Sequence, residues 1–183
     1  VMSRVFCWLA LAAVLTFSNP IAAQERPAGD ALNQNAALSY WQAFALMPAL
    51  SEAEQVAVGE AATWQRPVDD QLKVIVKLSE PALHYLHRGT TFPRAAWGVA
   101  YEEGPYAMMP HFSKSREIGR LAVLRARVRF ADQQPEAAVD DVIAAMTLGR
   151  HVGREGVIVL ISVLVEYAIE AVAIDGLAHQ LPA

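Results

Sequence analysis

Cysteine is almost missing from this chain, and that narrows the chemistry first. The one cysteine, Cys7, falls within the first two dozen residues. Beyond it there is no thiol, hence no disulfide framework, no cysteine-ligated metal and no cysteine nucleophile. Cys7 lies too early in an apolar stretch, with no small-residue approach, to serve as a lipid acceptor. Charge is also scarce. Charged residues make up 19% of the chain and the net charge is −4, so nothing electrostatic draws the protein to nucleic acid. No apolar run reaches the ~20 residues that span a bilayer. There is no glycine-rich phosphate loop and no Gly-x-Ser-x-Gly turn. The sequence implies no cofactor, no metal and no catalytic residue.

What is present begins with an address. Arg4 precedes an apolar stretch from Val5 to Phe17, then Ser18-Asn19-Pro20, then Ile21-Ala22-Ala23. A positive start, an apolar core and a small-residue end make the layout of a secretory signal. The expected organisation is a signal peptide over 1–23, a flexible linker over 24–34 and one helical domain over 35–183. The expected location is outside the cytoplasm: periplasm, cell envelope or exterior. Membrane attachment is expected only if the signal is not cleaved.

Alanine, leucine and valine dominate the rest, which favours helices over strands. Helical periodicity starts at Asn35, with Leu38, Trp41, Ala45 and Leu46 on one face, and Pro48 stops it. Ser51-Glu52-Ala53-Glu54 is a capping box and predicts a helix over 52–64. Asp69 opens another, with Leu72, Ile75, Val76 and Leu78 inward. Ser79-Glu80-Pro81 reads as a restart, a cap followed by a first-turn proline, with Gly89 as the stop. Ser113 caps a helix over 113–132, Gln133-Gln134-Pro135 turns the chain, and a returning helix follows over 135–151. A last helix over 155–180 is apolar on nearly every side. Such a helix must be buried all round, so either the chain continues beyond this sequence or a second copy covers it. Seven helices are expected in all.

The pair over 119–151 resembles a tetratricopeptide-type hairpin. Ala126, Ala138 and Ala145 fall where that repeat needs small residues, and Val142 at a large apolar position. The aromatic near the start, the turn glycine and the closing proline of the repeat are missing. The resemblance implies an array of antiparallel helical hairpins, a short tetratricopeptide-like solenoid within an all-α class. A broader resemblance rests on three phrases: Asn35-Ala36-Ala37-Leu38-Ser39-Tyr40-Trp41, Trp97-Gly98-Val99-Ala100-Tyr101-Glu102-Glu103-Gly104-Pro105, and Leu148-Gly149-Arg150-His151. They are similar to segments of a large family of exported bacterial all-helical proteins. That resemblance implies a fold and an address, not a chemistry.

Three groups of residues invite a functional reading. Glu80, His84 and His87 share a helical face, but they lack the spacing of a zinc protease and no further ligand is implied. Arg125 sits among the inward positions Leu121, Ala122 and Val128. It therefore needs a buried carboxylate, with Asp140, Asp141, Glu166 and Glu170 as candidates. The segment 90–112 holds prolines, glycines and many aromatics, and a loop that long is usually functional or disordered. Trp97, Tyr101, Glu102, Tyr106 and His111 are its candidate binding residues. Two functions remain open. One is an exported scaffold or interaction module, without catalysis, for a protein or peptide partner, self-associating through its last helix. The other is an enzyme or small-ligand binder with its site under that loop.

Overall fold

The computed structural model describes residues 34–154 and 160–180, apart from the side chains of Tyr101, Pro105 and Tyr106. The expected signal and most of the expected linker lie outside the described residues. Within them the chain is all-helical, with six α-helices and no strand. These are α1 (Ala36–Ala45), α2 (Glu52–Ala62), α3 (Asp70–Thr90), α4 (His111–Ala131), α5 (Pro135–Arg154) and α6 (Leu160–Ala178). A 3-10 turn over Tyr101–Tyr106 interrupts the long connection between α3 and α4.

Local signals explain most helix starts. The Asn35 side chain accepts from Ala37 N–H and opens α1. Ser51 and Glu54 close the expected capping box on α2. Asp69 accepts from Leu72 N–H and opens α3. The start of α4 differs from expectation. It begins at His111 behind Pro110, and the Ser113 hydroxyl donates back to the Pro110 carbonyl instead of capping.

Two inward faces also differ. In α1 the buried residues are Ala36, Ala37, Tyr40, Ala43 and Phe44, while Leu38 and Leu46 face out. Two aromatic rings packed between small alanines bury more surface than the leucines would. The expected restart at Ser79 does not occur, and α3 runs straight through Pro81. Ser79 is buried, and its hydroxyl donates to the Ile75 carbonyl at 2.8 Å. Pro81 is exposed, as is Lys77, whose carbonyl the proline leaves unpaired, so water can satisfy it. The buried row Leu72, Ile75, Val76, Ser79, Ala82, Leu83 and Leu86 is unbroken across the proline. Leu78, expected inward, is exposed.

Packing divides the helices. α4, α5 and α6 pack on one another, with α5 against both neighbours. The three-residue link between α4 and α5 makes that pair antiparallel. α1 pairs with α3 rather than with α2, and α2 lies on α4. α3 also touches α4 and α5, which joins the two groups around one core. The expected all-round burial of the last helix is not met. α6 rests on α4 and α5 from one side, no other described helix packs extensively on it, and Leu160, Ile161 and Leu164 are exposed. The expected start of this helix, residues 155–159, lies outside the described residues.

Candidate functional site

The loop site expected from sequence resolves into two parts. Asn35 ties the connection down. Its side chain accepts from Ala96 N–H at 2.8 Å and donates to the Ala96 carbonyl at 3.0 Å. Ala36 N–H donates to the Arg94 carbonyl alongside. This seats Trp97 in the core, where its indole N–H donates to the His151 carbonyl at 3.1 Å. Trp97 stacks on Tyr40, Phe44 and His111. Trp97 and His111 are thus brought together as packed interior groups. Glu102 is on the surface, apart from them. The side chains of Tyr101 and Tyr106 lie outside what the structure describes.

His111 is the unusual member of this aromatic box. It is 1% exposed, and neither ring nitrogen has a hydrogen-bond partner among the described residues. Burial among Trp41, Trp97 and Phe112 pushes its pKa down to about 4. The unfolded chain, with an ordinary histidine near 6.5, binds the proton more tightly. Stability is therefore full above pH 6.5 and falls as the pH drops toward 4, by ~3 kcal/mol in total. His111→Phe should keep the ring stack and abolish that acid slope in denaturant titrations across this window. An unchanged slope would place the proton uptake elsewhere.

Arg125 finds the partner the sequence demanded. The guanidinium meets Asp141, with Nε at 3.0 Å from Oδ2. Asp141 is fully buried and also receives Arg129 at 2.9 Å and His87 at 2.8 Å. Arg125 reaches Glu80 at 2.7 Å. Although burial opposes it, the bonds from His87 and Arg125 and the nearby positive charges hold the Asp141 carboxyl below the usual range. Glu80 and His87 are thereby engaged in joining α3, α4 and α5. His84 stands apart on the surface against Tyr85. Sequence reasoning could name Asp141 only as one of several acids.

Two further arginines of α4 behave differently. Arg127 is buried over the Trp64 ring at 3.7 Å and donates to the carbonyls of Ala61 and Arg66. Trp64 has a positive φ of 59° just past α2, and this turns its ring toward α4. Arg116 and Arg120 are exposed and make no hydrogen bond or ion pair among the described residues. They lie one turn apart on the floor of a groove bounded by α2 and α6. One part of the groove, about 260 Å³, is lined by Leu50, Val58, Arg116 and Arg120. The next, about 450 Å³, runs past Val56, Gly59, Glu60, Arg120 and Val172. The groove is not legible in the sequence, because α2 and α6 reach Arg116 and Arg120 only through the tertiary fold.

Comparison of the chain with protein-family models, with curated proteins and with solved structures finds no match in any of the three.

Proposed function

We propose that this chain is an exported helical scaffold that holds a segment of another protein, without catalysing a reaction on it. The observation that carries this reading is the pair Arg116 and Arg120, unpartnered on the floor of a groove whose walls mix polar and apolar side chains. Arginine forks match carboxylates in two-point geometry. Val56 and Val172 offer apolar contact beside them. Glu52 and Glu60 on the α2 rim suit amide or basic groups further along a ligand. A peptide carrying carboxylates supplies all three kinds of contact. The successive pairs α4–α5 and α5–α6 support a tetratricopeptide-like array, in which a concave face receives such a segment. The pairing of α1 with α3 departs from a strict array. Export is supported by the order of Arg4, the apolar stretch and Ala22-Ala23.

Selection from a random displayed-peptide library against the purified protein tests the reading. Enriched peptides should be rich in Asp and Glu. They should bind at least about tenfold more weakly to the Arg116→Glu/Arg120→Glu variant, since rim-to-ligand charge pairs become repulsive. Both positions are exposed, so the variant's thermal unfolding should match the parent. No enrichment, or enriched peptides indifferent to both substitutions, would remove the groove from consideration.

A further inference from the structure

The outward face of α6 carries a regular apolar row. Leu160, Leu164, Tyr167, Ala171, Ile174 and Ala178 are all exposed, four of them large and each more than half exposed. Their separations alternate four and three residues, which keeps all six on one face of the helix. A seam between two paired helices uses the same alternation. The charge pattern is equally selective. α6 has no basic residue, and its acids are Glu166, Glu170 and Asp175. Glu166 is buried and pairs with Arg154 of α5, and Glu170 pairs with Arg150 of the same helix. Asp175 stands at the edge beside His179. None of the six seam positions is charged.

We propose that α6 pairs with α6 of a second copy of this chain about a two-fold axis, along the seam from Leu160 to Ala178. An isologous interface sets a surface patch against itself, so it must be self-complementary. A charged patch would repel its own copy, whereas an uncharged apolar row is self-complementary whichever way the two helices run. A net charge of −4 otherwise keeps copies apart. Ala171 and Ala178 alternate with the larger side chains and leave holes for a partner's knobs. A membrane surface fits less well, because an interfacial helix carries Lys or Arg beside its apolar face and α6 has neither. A helix of this length buries on the order of 500 Å² per partner, at the low end of specific interfaces. A dimer that dissociates on dilution is therefore expected.

Sedimentation equilibrium on the full protein, from about 100 μM down to about 1 μM, reads this directly. Twice the monomer mass at the top of the range should give way to the monomer on dilution. Leu164→Glu/Ile174→Glu, at two outward positions, should be monomeric throughout with an unshifted thermal transition. A second readout does not depend on that variant folding. With Cys7 changed to serine, Ala171→Cys lies near the seam midpoint and should oxidise to a covalent dimer. Val74→Cys, exposed on α3, should not. A parent monomeric at every concentration overturns the proposal. So does a dimer indifferent to the glutamates, or a monomer that instead binds anionic phospholipid vesicles through this face. Peptide selection on the groove is unaffected by these outcomes, so the two readings fail separately.

Discussion

Asp141→Ala should destabilise the protein by ~3–5 kcal/mol, the cost of leaving a buried charge without its counter-charge. In a chain of this size that lowers the melting midpoint by about 10 °C or more. The reason is geometric. Asp141 is fully buried and receives Arg125, Arg129 and His87 together. Arg125 is itself 4% exposed and cannot turn to water. Its remaining contacts are the His87 ring at 3.0 Å and Glu80, whose half-exposed side chain meets only one nitrogen, at 2.7 Å. Asp141→Asn keeps the shape and removes the charge, so it should fall between the parent and the alanine variant. The informative control changes both partners. Arg125→Met/Asp141→Leu fills similar volume without charge and should recover most of the loss, because a buried ion pair is often neutral relative to a packed apolar pair. Chemical denaturation of the three variants measures this. An alanine variant within 1 kcal/mol of the parent would mean that the network does not hold α3, α4 and α5 together.

Gly89→Ala should be nearly as damaging, by ~2–4 kcal/mol, although alanine is the better helix former by ~1 kcal/mol. Gly89 is the second-last residue of α3 and is buried there. A Cβ there would press on the Tyr40 ring, with Cδ1 at 2.6 Å and Cζ at 2.8 Å. The ring has nowhere to go. It is fully buried, stacks on Trp97 at 5.6 Å, and its hydroxyl meets His151 Nδ1 at 2.7 Å. Burial also holds the Tyr40 phenol protonated, by pushing its pKa up. Displacing the ring disturbs the Trp97 stack and the Tyr40–His151 bond together. Tyr40→Leu removes the obstructing ring, so Gly89→Ala should cost much less in that background. Equal costs in both backgrounds would show that the contact does not decide the matter.

Several features were legible without coordinates because they are local. Ser51 and Asp69 open helices by side-chain chemistry alone, and the structure uses both as caps, while Asn35, where the helical periodicity starts, caps α1. The turn at Gln133-Gln134-Pro135 joins α4 to α5 as expected, and Gln133 takes a positive φ there. An arginine among apolar neighbours implied a buried acid, and Asp141 supplies it. Where the reading of residues failed, two structures shared one local pattern. Ser79-Glu80-Pro81 suits either a helix start or the middle of a long helix. What chose between them was the apolar row on both sides of Pro81, which packs as one face. Gly89 lies one residue from the helix end it is expected to mark, but its close approach to Tyr40, forty-nine residues earlier in the chain, comes from the tertiary fold.

The sequence by itself determined the class of structure and the menu of chemistry. Helical propensity, caps and apolar periodicity act over a few residues, so an all-α fold follows from them. The lack of thiols beyond Cys7 and the low charge likewise need no coordinates. Which charges are spent on structure and which remain free was decided only by the tertiary fold. Arg116, Arg120, Arg125 and Arg127 share one helix and one chemistry. Yet Arg125 meets Asp141, Arg127 lies over Trp64, and Arg116 and Arg120 face an open groove. A side chain's role depends on what other helices bring within a few ångströms of it. For this α4 those helices come from residues up to about sixty positions away on either side, beyond the reach of any local pattern.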